Sequence, residues 1–182
     1  TDLLGELDQW ALERAILTLK ERRDSGRETQ VFVRQSAVSA TDPNHASWLL
    51  GKLRAQQMVG TGLVLDFRLS DLSANLEAVK KNFAALHELD VAICLSRFPE
   101  KTAAFKVLQY VHADFISITP RLLQADRDVI NSVIKQAHAT KAKVIVGNID
   151  DPRNIDLHRS SGAHYLLGAF IQQPPDTIDY DF

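Results

Sequence analysis

Six short runs of β-branched and other apolar residues recur along the chain, their starts 22 to 32 residues apart, and a helical period occupies most gaps between them. The runs are Val31–Ser36, Leu63–Leu69, Val91–Ser96, Phe115–Thr119, Lys143–Ile149 and Tyr165–Ile171. A strand with one face in water alternates polar and apolar residues. These runs are almost continuously apolar, the pattern of strands buried on both faces of a parallel sheet. Strict alternation of strand and helix at this period means repeated βαβ units.

The helical segments carry stripes of their own. Leu3, Leu7, Trp10, Ala11, Ile16 and Leu17 form the apolar stripe expected on the first helix. Trp48, Leu49, Leu53 and Ala55 mark a second, opened by Asp42-Pro43 as a cap followed by proline. Leu76, Val79, Phe83 and Leu86 mark a third, for which Ser73 is the expected cap. Phe105–Tyr110 reads as a short fourth helix, and Val129, Val133, Ile134 and Ala137 define a fifth. Asp151-Pro152 is expected to open a sixth that ends at Gly162.

Right-handed crossovers leave two architectures, a doubly wound open sheet or a (β/α)8 barrel of the TIM type. In both, function collects at the C-terminal ends of the strands. No glycine-rich dinucleotide fingerprint follows any strand: Arg34-Gln35-Ser36 and Asp66-Phe67-Arg68 stand where the glycines would be needed. The barrel is therefore the expected α/β fold, with six strands here and its N-terminal strands absent. No linker or low-complexity segment divides the chain, so residues 1–182 are expected to form a single domain. The chain starts at Thr1 and its first element is a helix, which suggests a piece cut from something longer.

Charge and composition close off several classes of function. The 21 Lys and Arg against 23 Asp and Glu leave a formal charge of -2 and no global reason to expect a nucleic-acid or membrane-surface partner. The one cysteine, Cys94, excludes an internal disulfide and a cysteine-based zinc site. No apolar run approaches the ~20 residues of a membrane span and no signal peptide is visible, so a cytoplasmic location is expected.

The segments at the strand ends line up, in order and spacing, with the landmarks of one family. Leu7-Asp8-Gln9-Trp10-Ala11-Leu12 with Ala15 resembles the helix after its signature strand. Val31–Ser36 resembles its "hydrophobic-Asn-x-Ser" strand, and Leu63–Arg68 the strand ending in Glu-x-Thr-Glu. Val91–Arg97 falls where the family has Asp-Asp-Phe-Gly. Ala113–Ile118 matches the strand carrying its lysine, Val144–Asp150 its Glu-Gly-Val-Glu strand, and Tyr165–Pro174 its closing Gln-Gly-Tyr...Pro strand. The chain thus resembles the EAL-type cyclic-di-GMP phosphodiesterase domain over essentially its whole length. With Leu95-Ser96 in the loop and a Gln-Gln-Pro end, it looks most like the FimX group of non-catalytic EAL domains. The Glu-Ala-Leu signature itself would lie upstream of Thr1.

Enzymes of this family hold two Mg²⁺ or Mn²⁺ ions on carboxylates and activate water for attack on a phosphodiester. The resemblance, taken position by position, puts Arg34 at the asparagine ligand, Asp66 at a glutamate, Cys94 and Leu95 at the paired aspartates, and Ser117 at the lysine. Gly147 and Asp150 fall at the two glutamates of the next strand and Leu167 at the closing glutamine. Of these only Asp66 and Asp150 keep an acidic oxygen, which implies no catalysis and no bound Mg or Mn. A metal-free pocket could still hold an anionic bis-phosphate if arginine supplied the charge. The candidate cyclic-di-GMP-binding residues are Arg34, Arg68 and Arg97 for charge, and Asp66 and Asp150 to orient them or read a guanine edge. Phe170, Gln172 and Pro174 lie where the family's ligand base rests; Ser117, Gly147 and Asn148 complete the set.

Each of these residues also has a plainer role. Arg97 opens an Arg97–Lys101 loop and suits solvent; Asp66 can pair with Arg34 as a structural bridge or contact ligand. Cys94 reads as a buried small hydrophobe, Ser117 as filler without a base, and the Asp150-Asp151-Pro152 run as a helix cap. His45, His87, His112, His138, His158 and His164 show no paired ligand spacing and are expected at the surface. Asp176–Phe182 is acidic with interleaved apolar residues, suited to a disordered tail or a packing segment.

The function implied is an inactive EAL-type signalling module that binds cyclic-di-GMP and relays it to protein partners. The FimX resemblance implies an upstream cyclase-like domain, a PilZ-type adaptor and type IV pilus or biofilm-type control, with no nucleic-acid or membrane partner. The alternative is a protein-interaction module that has lost the nucleotide, favoured by the erosion at Gly147-Asn148 and Leu167.

Overall fold

The structure, a computed structural model, describes residues 3–119, 122, 127–147 and 162–168. The expected alternation is present. Helix α1 spans Leu3–Asp24, β1 Val31–Gln35, α2 Ala37–Thr41, α3 His45–Ala55 and β2 Leu63–Arg68. A 3-10 turn over Leu69–Leu72 leads to α4 at Leu76–His87, then β3 at Ala92–Phe98, α5 at Thr102–Val111 and β4 at Phe115–Ile118. Helix α6 at Arg127–Ala139, β5 at Lys143–Val146 and β6 at Tyr165–Leu166 complete the described elements. Every adjacent strand pair is parallel, and the sheet order is β1-β2-β3-β4-β5-β6. A strictly sequential order has no switch point, which decides against the doubly wound sheet.

The sheet is curled into a half-barrel. Neighbouring strands lie ~4.8 Å apart, so β1 and β4 would stand roughly 14 Å apart in a flat sheet. The rings of Phe32 on β1 and Phe115 on β4 meet edge-on with centroids 5.4 Å apart. Phe115 in turn touches Tyr165 of β6 at 5.9 Å, and the Tyr165 hydroxyl donates to Gln30 Oε1, just before β1, at 3.1 Å. Strand alternation then sorts the side chains. Val64, Cys94, Phe115 and Ile145, with Ala92 and Tyr165, fill the concave interior. Leu63, Leu65, Phe67, Ile93, Leu95, Ile116, Val144 and Val146 join the larger core under the helices. There Phe67 and Phe83 of α4 stack with centroids 4.9 Å apart.

Several local expectations are corrected. Helix α1 buries Asp8, Leu12, Ala15, Ile16, Leu19 and Arg22, whereas Leu3, Leu7, Trp10 and Leu17 are 78%, 56%, 62% and 40% exposed. The buried stripe is rotated away from the expected one because polar Asp8 and Arg22 belong to it. Helix α3 starts after Asn44; Asp42 Oδ1 accepts the Asn44 N–H in a turn before the helix instead of capping it. The cap of α4 is Asn75, whose side chain accepts the Ala78 N–H, and Ser73 closes the 3-10 turn. Helix α2 has no counterpart in the sequence reading: it is five residues long and lacks a side-chain cap bond. His45 is buried rather than at the surface. The expected sixth helix, most of the last strand and the acidic tail lie outside the described residues, although Gly162 does hold the left-handed φ of +87° typical of a helix stop.

Candidate functional site

Parallel strands in sequential order bring all their C-terminal ends to one rim. Arg34, Asp66 and Cys94 stand side by side there, for Arg34 pairs in register with Asp66 and Asp66 with Cys94. The Arg34 guanidinium meets Asp66 at 2.8 Å, Nη2 to Oδ2. Asp66 is the sheltered partner, its side chain 16% exposed against 53% for Arg34. Its other oxygen, Oδ1, is buried and finds no hydrogen-bond partner. Burial first, and then the neighbouring Asp66 carboxylate, push the Cys94 thiol far up, with Arg34 acting weakly in the opposite sense. Cys94 is accordingly a protonated, buried thiol, as its apolar run suggested.

The other arginines are not drawn into this pair. Arg68 reaches 4.0 Å from Asp71 in the 3-10 turn, with both side chains near half exposure. Such a pair contributes little. Arg97 is exposed and sits at a β-bulge, with φ +53° where the pairing of β3 with β4 slips between Leu95 and Phe98. That backbone favours glycine, the residue which the Asp-Asp-Phe-Gly resemblance places there. Leu95 is fully buried among the core residues behind β3, so Cys94 alone of that pair faces the interior. Ser96 is buried and its hydroxyl donates to the Phe67 carbonyl at 3.3 Å. Ser117 is half-buried opposite Ile145, and a Cβ on Gly147 would meet nothing within 4 Å, so no close approach requires glycine there. Asn148, Asp150, Phe170, Gln172 and Pro174 lie outside the described residues.

Behind the rim is a polar cluster that the sequence reading missed. Asp8 Oδ2 accepts the Ser36 N–H at 2.8 Å and the hydroxyls of Ser36 and Ser39, each at 2.6 Å. Asn82 of α4 donates to the carbonyls of Ser39 and Ala40, and contacts His45 Nδ1 at 3.4 Å. Burial lowers the His45 pKa even though Asp42 and Asp8 pull it upward. The signal available was Asp8 at helical spacing from Leu12, Ala15 and Leu19, a carboxylate on a buried face.

Among the described residues, no three His, Cys, Asp or Glu side chains gather into a group able to hold a metal ion. Nor, among them, is any helix long and apolar enough to cross a membrane.

The EAL domain family model matches residues 1–174. A FimX EAL domain superimposes with TM-score 0.93 at 26% identity, covering 100% of this chain and 75% of that one. The FimX EAL domain of Xanthomonas citri in complex with c-diGMP gives 0.91 at 24% identity, covering 100% and 74%. That of Pseudomonas aeruginosa bound to c-di-GMP gives 0.90 at 25%, covering 99% and 74%. No curated protein matches the sequence. The strand-end resemblance and the half-barrel thus agree with the family match: the chain belongs to the EAL domain family and resembles its FimX members.

Proposed function

We propose that this EAL domain is a cytoplasmic signalling module that binds cyclic-di-GMP without a metal, does not hydrolyse it, and relays its state to protein partners. The observation that carries the reading is the Arg34–Asp66 ion pair at the rim. A hard divalent cation needs several negatively charged oxygens around it. Here the guanidinium already occupies Asp66 Oδ2, and the neighbouring interior position supplies a buried, protonated thiol at Cys94. These residues do not fit a two-metal centre. An arginine has five N–H donors and Asp66 engages only part of the fork, so the exposed remainder suits a phosphate oxygen. Two of the similar FimX domains were solved with c-di-GMP, which supports the same ligand class here.

Relay through a PilZ-type adaptor, an upstream cyclase-like domain in the full-length protein, and type IV pilus or biofilm-type control extend this reading by similarity to the FimX group. A protein-interaction module without nucleotide is the second reading, and the 57% exposure of Leu167 just past β6 favours it. Titration calorimetry with cyclic-di-GMP in excess EDTA separates the two. Heat in the micromolar range, with no linear product after incubation in Mg²⁺ or Mn²⁺, is the expected result. Silence at tens of micromolar ligand would leave the protein module, and turnover would overturn both readings.

A further inference from the structure

The connection after β1 is held more firmly than a surface loop requires, and from a helix that lies behind the rim. Asp8 on α1 is 7% exposed. One of its carboxylate oxygens gathers three donors from two residues of that connection, the Ser36 N–H, the Ser36 hydroxyl and the Ser39 hydroxyl. Gln35 Nε2 donates to the Arg34 carbonyl at 2.9 Å and to the Asp8 carbonyl at 3.4 Å, so the residue next to Arg34 is tied to the same helix turn. From the other side, Asn82 donates to the carbonyls of Ser39 and Ala40. The five residues of α2 could not hold themselves, since a helix this short is below the length at which helices are stable alone. Its position comes from Asp8 and Asn82. A buried carboxylate is costly unless it is hydrogen-bonded, and these charge-assisted bonds are strengthened by the burial of Asp8.

Arg34 is two residues from Ser36, and its long side chain is half exposed with one ion-pair partner among the described residues. Its backbone is therefore the part that can be fixed in advance. We infer that Asp8 is a positioning residue for the rim: by clamping Ser36 and Ser39 it sets where the backbone of β1 ends and so where Arg34 presents its guanidinium to an anionic ligand. Asp8 itself touches no ligand in this account, and the inference rests on the cyclic-di-GMP reading of the rim. A bond made in advance raises affinity by raising the fraction of molecules already competent to bind.

The test compares dissociation constants for cyclic-di-GMP by calorimetry in EDTA for the wild type and four variants, each first shown to be folded by circular dichroism. Asp8→Asn keeps the size of the side chain but weakens it as an acceptor of three donors; about a tenfold loss of affinity is expected, equivalent to one tenth of molecules remaining competent. Ser36→Ala with Ser39→Ala removes the two hydroxyl donors and leaves only the Ser36 N–H, and adding Asp8→Asn to that pair should change affinity less than about twofold, because all three side chains act through one clamp. Ile134→Ala on α6 serves as a control that lowers stability elsewhere in the core and should leave affinity within about twofold of wild type. Wild-type affinity in Asp8→Asn, or an equal loss in Ile134→Ala, overturns the positioning role. A wild-type protein that binds no cyclic-di-GMP overturns the reading of the rim, a separate failure seen before any variant is made.

Discussion

Replacing Arg34 by methionine keeps most of the aliphatic stem and removes the charge that faces Asp66 at 2.8 Å. The cost is set by how much water can take over. Breaking a fully buried pair by deleting one partner costs about 3–5 kcal/mol, whereas a fully exposed pair contributes about 0–1 kcal/mol. This pair lies between, for Asp66 is sheltered while Arg34 is half open, and Asp66 Oδ1 already lacks a partner. Arg34→Met is therefore expected to destabilise by about 1.5 kcal/mol, a fall in Tm of ~3–6 °C for a chain of this size. Asp66→Asn, which removes the sheltered charge, should cost less. The double variant should recover much of the Arg34→Met loss, because the penalty is a stranded carboxylate and not the missing arginine. Urea unfolding of the four proteins at pH 7.5 measures the cycle. Additive losses in the double variant, or an Arg34→Met midpoint equal to wild type, would refute the idea that Asp66 depends on Arg34.

Two further predictions concern the scaffold. A Cβ at Gly60 would lie 2.4 Å from the Leu89 carbonyl oxygen and 2.4 Å from Val91 Cγ2, so Gly60→Ala must push backbone apart and is expected to cost about 1–3 kcal/mol in urea unfolding. The lowered pKa of buried His45 means that the unfolded chain binds a proton the folded chain refuses, so stability falls as pH drops below the ordinary value of 6.5. Between pH 7.5 and 5.5 His45→Gln should unfold with a shallower dependence on pH, by up to about 1.4 kcal/mol at the acid end; identical slopes would mean that His45 titrates freely.

The fold was legible in the sequence because burial on both faces leaves an almost unbroken apolar run, and all six strands begin at or within a residue of the starts of those runs. The face of α1 was not, since Leu3, Leu7 and Trp10 make a more conspicuous stripe than the buried one that contains Asp8 and Arg22. Composition ranks Leu and Trp as core residues; only the position of β1 says otherwise. Helix α2 escaped because its stability comes from bonds to Asp8 and Asn82, 28 or more residues away in sequence. At the site, Asp66 had two readings, a bridge to Arg34 and a ligand contact; parallel register sets Arg34 and Asp66 opposite each other, so the bridge forms. Arg97 was grouped with the other arginines by its place at a strand end, whereas its bulge and positive φ follow from where the ladder slips, a property of two strands together.

The hydroxyl of Tyr165 and the amide oxygen of Gln30 join positions 135 residues apart. Contacts of such separation form late in folding, because the chain entropy of closing a long loop must be met before the bond returns anything. This one also requires the rings of Phe32 and Phe115 to be in place between the two ends of the sheet. The bond can form only when the sheet between β1 and β6 is curled, since the strands it joins stand at the two ends of the strand order. The Tyr165–Gln30 bond is thus a drawstring: it ties the two free ends of the ribbon of strands toward each other and so helps to hold the rim around Arg34 in its concave shape.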